Sequence, residues 1–158
     1  MKIGDKAGQC TKWAYDRAIE IHDSAPCWQT GCGSNGSGLY NHAKTWTEHY
    51  RDPWEVKDVG FLPSRGDVIV WDGNYGHVAV IEDVYDDGTA RVSMSNMDGD
   101  QRYSEIAHWP LGTRIDKSYG YKYTTGVVKG YLHYPAGDDL KAQLTEIRNQ
   151  LNKIIKKL

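Results

Sequence analysis

At 158 residues and 17.9 kDa the chain has the length of one ordinary domain, which excludes a multidomain machine and asks a single core to carry the chemistry. Apolar residues at 39%, with six Trp and eleven Tyr, supply enough bulk for that core and exclude wholesale disorder. Lys and Arg number 19 against 21 Asp and Glu, and no block of like charge dominates the main body, so nucleic acid is not an expected partner.

The first residues, Met1-Lys2-Ile3-Gly4-Asp5, lead into no apolar stretch of signal-peptide length, and no run approaches a spanning helix, so membrane insertion is not expected. A soluble chain that starts in the cytosol is the expectation. Cys10, Cys27 and Cys32 are an odd number, so at least one thiol is left outside any disulfide.

Residues 10–22, CTKWAYDRAIEIH, place Trp13, Ala14, Ala18 and Ile21 at helical spacing and predict a helix that starts at or beside Cys10. Residues 23–38, with Pro26 and four glycines, predict a long loop that shapes a cleft. A second helix is predicted over 39–50 from Leu39, Ala43, Trp46 and Tyr50, closed by Pro53. After Pro63 the pattern changes to short β-rich runs at 66–71, 77–84, 90–97 and 126–134. The breaks DGNYG and DDGT have hairpin chemistry, and an antiparallel sheet follows. Helices first and strands after predict an α+β domain with the helices packed on one side of the sheet, while 98–125 stays ambiguous.

Pro135-Ala136-Gly137 ends the last strand, and Asp138 is placed to cap a helix reaching Leu158. Leu140, Leu144, Ile147, Leu151, Ile154 and Leu158 step by four and three in strict alternation, a heptad seam. The seam is narrower than the apolar face of a helix covering a globular core. Packing on its own domain, self-association as a homo-oligomer, and a connection to a linked domain or partner all stay open. The domain reading is therefore 1–135 as the main body and 136–158 as a C-terminal helix, a coiled coil or a linker.

Cys10 stands where a helix start offers unpaired N–H groups and partial positive charge, both of which favour thiolate. His77 follows Gly76 at the mouth of the strand Val78-Ala79-Val80-Ile81, so rigid sheet would hold its ring while the glycine leaves room for an approaching group. Cysteine and histidine make a catalytic pair when the imidazole takes the thiol proton and a third polar group orients the ring. Asn96, at the end of the next strand, suits that third role, and a turn residue is the competing reading. The other five histidines read as surface or boundary residues. Cys27 and Cys32 lack a second ligand pair for zinc, which leaves a local disulfide or two free thiols. Trp28, Trp71 and Tyr75 are candidates for lining a substrate groove, against partial burial at the domain edge.

GQCTKWA near the start, then LPSRGDVIVW, YGHVAVIEDV and VSMSN, in this order, resemble the CHAP family of cysteine and histidine dependent amidohydrolases and peptidases over about residues 4 to 135. The resemblance implies a papain-like (NlpC/P60-like) α+β fold and peptidoglycan as substrate. It implies Cys10 as nucleophile, His77 as base and then acid, and Asn96 as the residue that orients the imidazole. Many relatives carry a glutamate two positions before that asparagine; here Met94 stands there, so the implied triad is Cys-His-Asn. The calcium site of some relatives is not carried over, because Asp5 is alone before Cys10 and Lys12 follows it; no metal or other cofactor is expected. The expected function is cleavage of a cell-wall amide bond, as an N-acetylmuramoyl-L-alanine amidase or endopeptidase. A bacteriophage endolysin, held in the host cytoplasm before lysis and then acting at the wall, is the expected context. A virion-associated wall hydrolase, a non-catalytic wall-binding or assembly module with an oligomerising tail, and a thiol peptidase acting on proteins are the alternatives.

Overall fold

A computed structural model describes residues 9–27, 42–73, 75–96, 102–115 and 126–135, and positions 144, 147, 148, 151, 152, 154 and 155. Helix α1 spans Cys10–His22, as its spacing predicts, and buries Trp13, Ala14 and Ala18. It ends where Asp23 takes a left-handed conformation and its N–H bonds the Ile19 carbonyl.

Six strands follow: β1 (Glu55–Lys57), β2 (Val68–Trp71), β3 (His77–Val84), β4 (Thr89–Ser95), β5 (Tyr103–Pro110) and β6 (Val128–His133). They form one antiparallel sheet in the order β1-β6-β2-β3-β4-β5. The β3–β4 turn has the chemistry its sequence promised. The Asp87 carboxylate accepts from the Thr89 N–H at 2.9 Å and from the Thr89 hydroxyl at 2.6 Å, and Gly88 holds a φ of 80°.

Central strands β2 and β3 are covered on both faces, which is why they read as unbroken apolar runs. Val68, Val70, Val78 and Val80 point to the α1 side, where Ala14, Ala18, Trp46, Trp54 and Leu132 join them. Ile69, Trp71, Ala79 and Ile81 point the other way, into a second core with Val92, Met94, Trp109, Ile115 and Tyr131. That pleat alternation builds two hydrophobic layers from one sheet.

The structure corrects the second helix. Within residues 42–50 only Ala43–Thr45 is helical, as a single 3-10 turn, and Tyr50 pairs with Cys27 in an isolated bridge. Ala43 and Trp46 are the buried residues, three apart, the repeat of a 3-10 turn, so the spacing that suggested a longer helix serves one tight turn. Residues 39–41 of that expected helix, with Trp28 and Cys32, lie outside the described residues. One α-helix, then, packs on the sheet within the described residues.

The 98–125 stretch contains β5, an edge strand in which Trp109 alone is buried and the other positions are half-buried or exposed. In the C-terminal segment the described positions are helical, and Leu144, Ile147, Leu151, Ile154 and Ile155 are 56% to 62% exposed. They do not pack on the body. The predicted cap at Asp138 and the ends of the seam, Leu140 and Leu158, lie outside the described residues.

Candidate active site

Cys10 opens α1 and is the free cysteine among those described; Cys27 is disulfide-bonded. The Cys10 thiol faces three backbone N–H groups: its own, that of Thr11 and that of Val78. The Val78 amide belongs to the peptide that follows His77, so the helix start and the mouth of β3 meet at this sulfur. Helix and strand are held in that relation by a polar chain along the α1 stripe that continues from Cys10. Arg17 donates to both oxygens of Glu82 on β3, at 2.9 and 2.7 Å. Ser93 on β4 donates to Glu82 at 2.6 Å and accepts from the Trp13 indole at 3.1 Å. Burial pushes the Glu82 carboxyl up, but the Arg17 and Ser93 hydrogen bonds outweigh it and leave the group below its ordinary range. The sequence signal was present, since Trp13 and Arg17 follow Cys10 at helical spacing, but the partner strand was not legible from it.

His77 is 1% exposed, and its Nε2 is buried with no hydrogen-bond partner. The Trp71 ring lies 5.9 Å from the imidazole and is itself fully buried, with its indole N–H donating to the Thr113 carbonyl at 3.0 Å. Trp71 is therefore the wall behind His77 and has no surface to offer a groove, which corrects its assignment as a groove residue. Tyr75 is 70% exposed, with its ring 5.0 Å from that of His42. The room at Gly76 is also used internally. A Cβ there would stand 2.4 Å from the Lys44 backbone nitrogen, so the glycine admits the 3-10 segment rather than an approaching ligand.

Asn96 follows β4. The β3–β4 ladder pairs Val80 with Ser93, three residues before Asn96. The residue has a φ of 57°, a conformation asparagine tolerates, and its N–H bonds the Arg102 carbonyl at 2.9 Å. Its side-chain Nδ2 donates to the Gln9 Oε1 at 2.5 Å, which ties the end of β4 to the residue just before Cys10. Met94 is buried in the core on the far side of the sheet from α1.

Electrostatics reverses one expectation. The Cys10 thiol is pushed up to about 11, because burial opposes the thiolate by more than the three N–H groups favour it. Burial also pushes the His77 imidazole down to about 3. The resting pair is thus neutral thiol and neutral imidazole, and no hydrogen bond joins the two. The neutral ring is in the form that accepts a proton.

One further buried pair was missed. His133, read as a boundary residue, is 1% exposed, and its Nδ1 lies 3.0 Å from both oxygens of the buried Asp67. Asp67 also accepts the Ser64 and Tyr134 N–H groups, at 2.7 and 3.3 Å. Its carboxyl is raised by burial against those bonds. Among the described residues no cluster of three His, Cys, Asp or Glu is arranged to hold a metal.

No curated protein sequence matches the chain. Among solved structures, that described as the crystal structure of Ly7917 with the hydrolyzing product of MDP matches with a TM-score of 0.57 and 20% identity. The match covers 82% of this chain and 56% of that one, so this chain spans little more than half of its neighbour, and the likeness is one of fold. The family model described as the CHAP domain matches residues 2–96, which include Cys10, His77 and Asn96, and the chain belongs to the CHAP-domain family.

Proposed function

We propose that the protein is a peptidoglycan hydrolase that cleaves an amide bond of the bacterial wall by cysteine catalysis. The observation that carries this is the meeting of a free thiol, at a helix start lined by N–H groups, with the strand mouth that bears a buried, unpartnered imidazole. Membership of the CHAP family supports the substrate class, and the fold is shared with Ly7917, whose structure is described as holding the hydrolyzing product of MDP.

In this reading Cys10 attacks the carbonyl carbon as its proton passes to His77. The C–N bond breaks as that proton moves to the leaving amine, and water, activated by the same imidazole, releases the acid. The Cys10 and Thr11 N–H groups at the helix start, which face the sulfur, are placed to hold the oxyanion. Gln9 has its oxygen engaged by Asn96, which leaves its amide N–H groups for the donor role. Asn96, expected to orient the imidazole, donates its Nδ2 to Gln9 instead, so its part in this reading is to steady the helix start. Exposed Tyr75, on the hairpin that leads into His77, and Trp28 line the substrate groove in this reading.

The catalytic body is assigned to residues 1–135 and the arm to 136–158. A bacteriophage endolysin, stored in the host cytoplasm until it reaches the wall, is the context we favour; a virion-associated hydrolase has the same chemistry. A zymogram on bacterial cell walls tests the activity. Clearing that disappears with a thiol-blocking reagent and in Cys10→Ala supports the reading. Clearing that persists in Cys10→Ala, or its absence from the wild type, refutes it.

A further inference from the structure

We infer that the C-terminal arm assembles several copies of this chain into a parallel coiled coil of three or four strands. The apolar side chains of Leu144, Ile147, Leu151, Ile154 and Ile155 stand out in solvent on helical backbone. A row of large apolar groups left unburied by its own domain marks an interaction surface. The period of the row identifies the occupant. A strict four-three alternation repeats every 3.5 residues, which keeps one seam facing another helix of the same kind.

Residue identity sets the number of strands. With Leu140, Ile147 and Ile154 at one core position, d, Leu144, Leu151 and Leu158 take the other, a. Leucine at a with isoleucine at d is the reverse of the order that packs well in two strands, and it shifts the preference to three or four. Ile155 falls at e, beside the seam, and widens the apolar stripe in the way a bundle of more than two helices requires.

Charge sets the direction. The remaining e positions are Lys141 and Arg148, and the g positions are Gln143, Gln150 and Lys157, with no acidic residue among them. An antiparallel arrangement would bring e against e and set Arg148 against its own copy. A parallel one sets Arg148 beside Gln143 and Ile155 beside Gln150, without a clash of like charge. Assembly does not depend on the chemistry of the body; resting on the hydrolase reading, its use is to present several active sites to one polymeric wall, raising residence by avidity.

Sedimentation equilibrium of the full chain across the micromolar range tests the inference without reference to activity. The expected mass is about 54 or 72 kDa, three or four times 17.9 kDa. The double variant Ile147→Lys/Leu151→Lys is expected at the monomer mass, with the near-ultraviolet spectrum of the tryptophan-rich body unchanged. A monomeric or dimeric wild type overturns the inference, as does a double variant that folds and keeps the wild-type mass.

Discussion

Two histidines of this protein are equally buried and live opposite lives. His133 on β6 and His77 on β3 are each 1% exposed. The Nδ1 of His133 lies against a buried carboxylate, and that carboxylate is held in turn by two backbone N–H groups. His77 keeps a buried nitrogen with no partner, and the packing around its ring comes from Trp71. Burying a polar atom unpaired costs about 1–3 kcal/mol, so the two imidazoles differ in what they contribute to stability. His22, Trp46 and Thr47 also carry buried polar atoms without a partner, so what marks His77 is its place, one peptide before the Val78 amide that faces the Cys10 sulfur.

Breaking the stranded member has the largest expected effect. His77→Ala should lower wall hydrolysis by about 10⁴-fold, about 5.5 kcal/mol of barrier, read as the rate of turbidity loss of purified walls. Its stability signature has a definite sign. The folded His77 refuses a proton down to about pH 3 while the unfolded ring takes one near 6.5, so its contribution is full above 6.5 and fades as pH falls from there toward 3. Wild type should therefore lose stability relative to His77→Ala across that window, measured by urea melts at several pH values.

Breaking the satisfied member should do the reverse. His133→Ala leaves the Asp67 carboxyl buried without its imidazole and is expected to cost about 1–3 kcal/mol of folding stability. The protein that remains folded should turn over walls at the wild-type rate per active site, as titrated by thiol labelling. Asn96→Ala, which removes the tie to Gln9, should cost about tenfold in rate, or about 1.4 kcal/mol, mostly in kcat. Tyr75→Ala should be the mildest, within about 0.5 kcal/mol in stability because the ring is exposed, with its effect confined to KM.

Much of the catalytic half was legible in the sequence, for a physical reason. A helix of period 3.6 and strands buried on both faces leave strong signals, and α1 and β3 begin and end where those signals place them. Cys10 and His77 sit at the ends of these elements, so their positions followed. The 39–50 helix failed because Ala43 and Trp46 satisfy both a 3-10 turn and an α-helix over so short a span. Strand β5 was hidden by its place at the sheet edge, where solvent removes the apolar signature. Asp67 and His133 were unreadable as a pair because 66 positions separate them and neither belongs to an apolar period. The direction of the Cys10 shift was lost for a related reason. A helix start is visible in sequence, but the depth at which the sheet buries it is not.

The same depth yields a sharper test of how the site works. With its thiol pushed up to about 11, Cys10 should be alkylated by iodoacetamide at a rate that keeps rising through pH 9, rather than levelling near neutrality as a standing ion pair would.

The most direct measurement is mass spectrometry of purified peptidoglycan after digestion by the wild-type protein and by Cys10→Ala. Fragments bearing one new amine and one new carboxyl group, produced by the wild type and absent from the variant, are the predicted result. Intact peptidoglycan after wild-type digestion, or identical fragments from Cys10→Ala, would contradict the account.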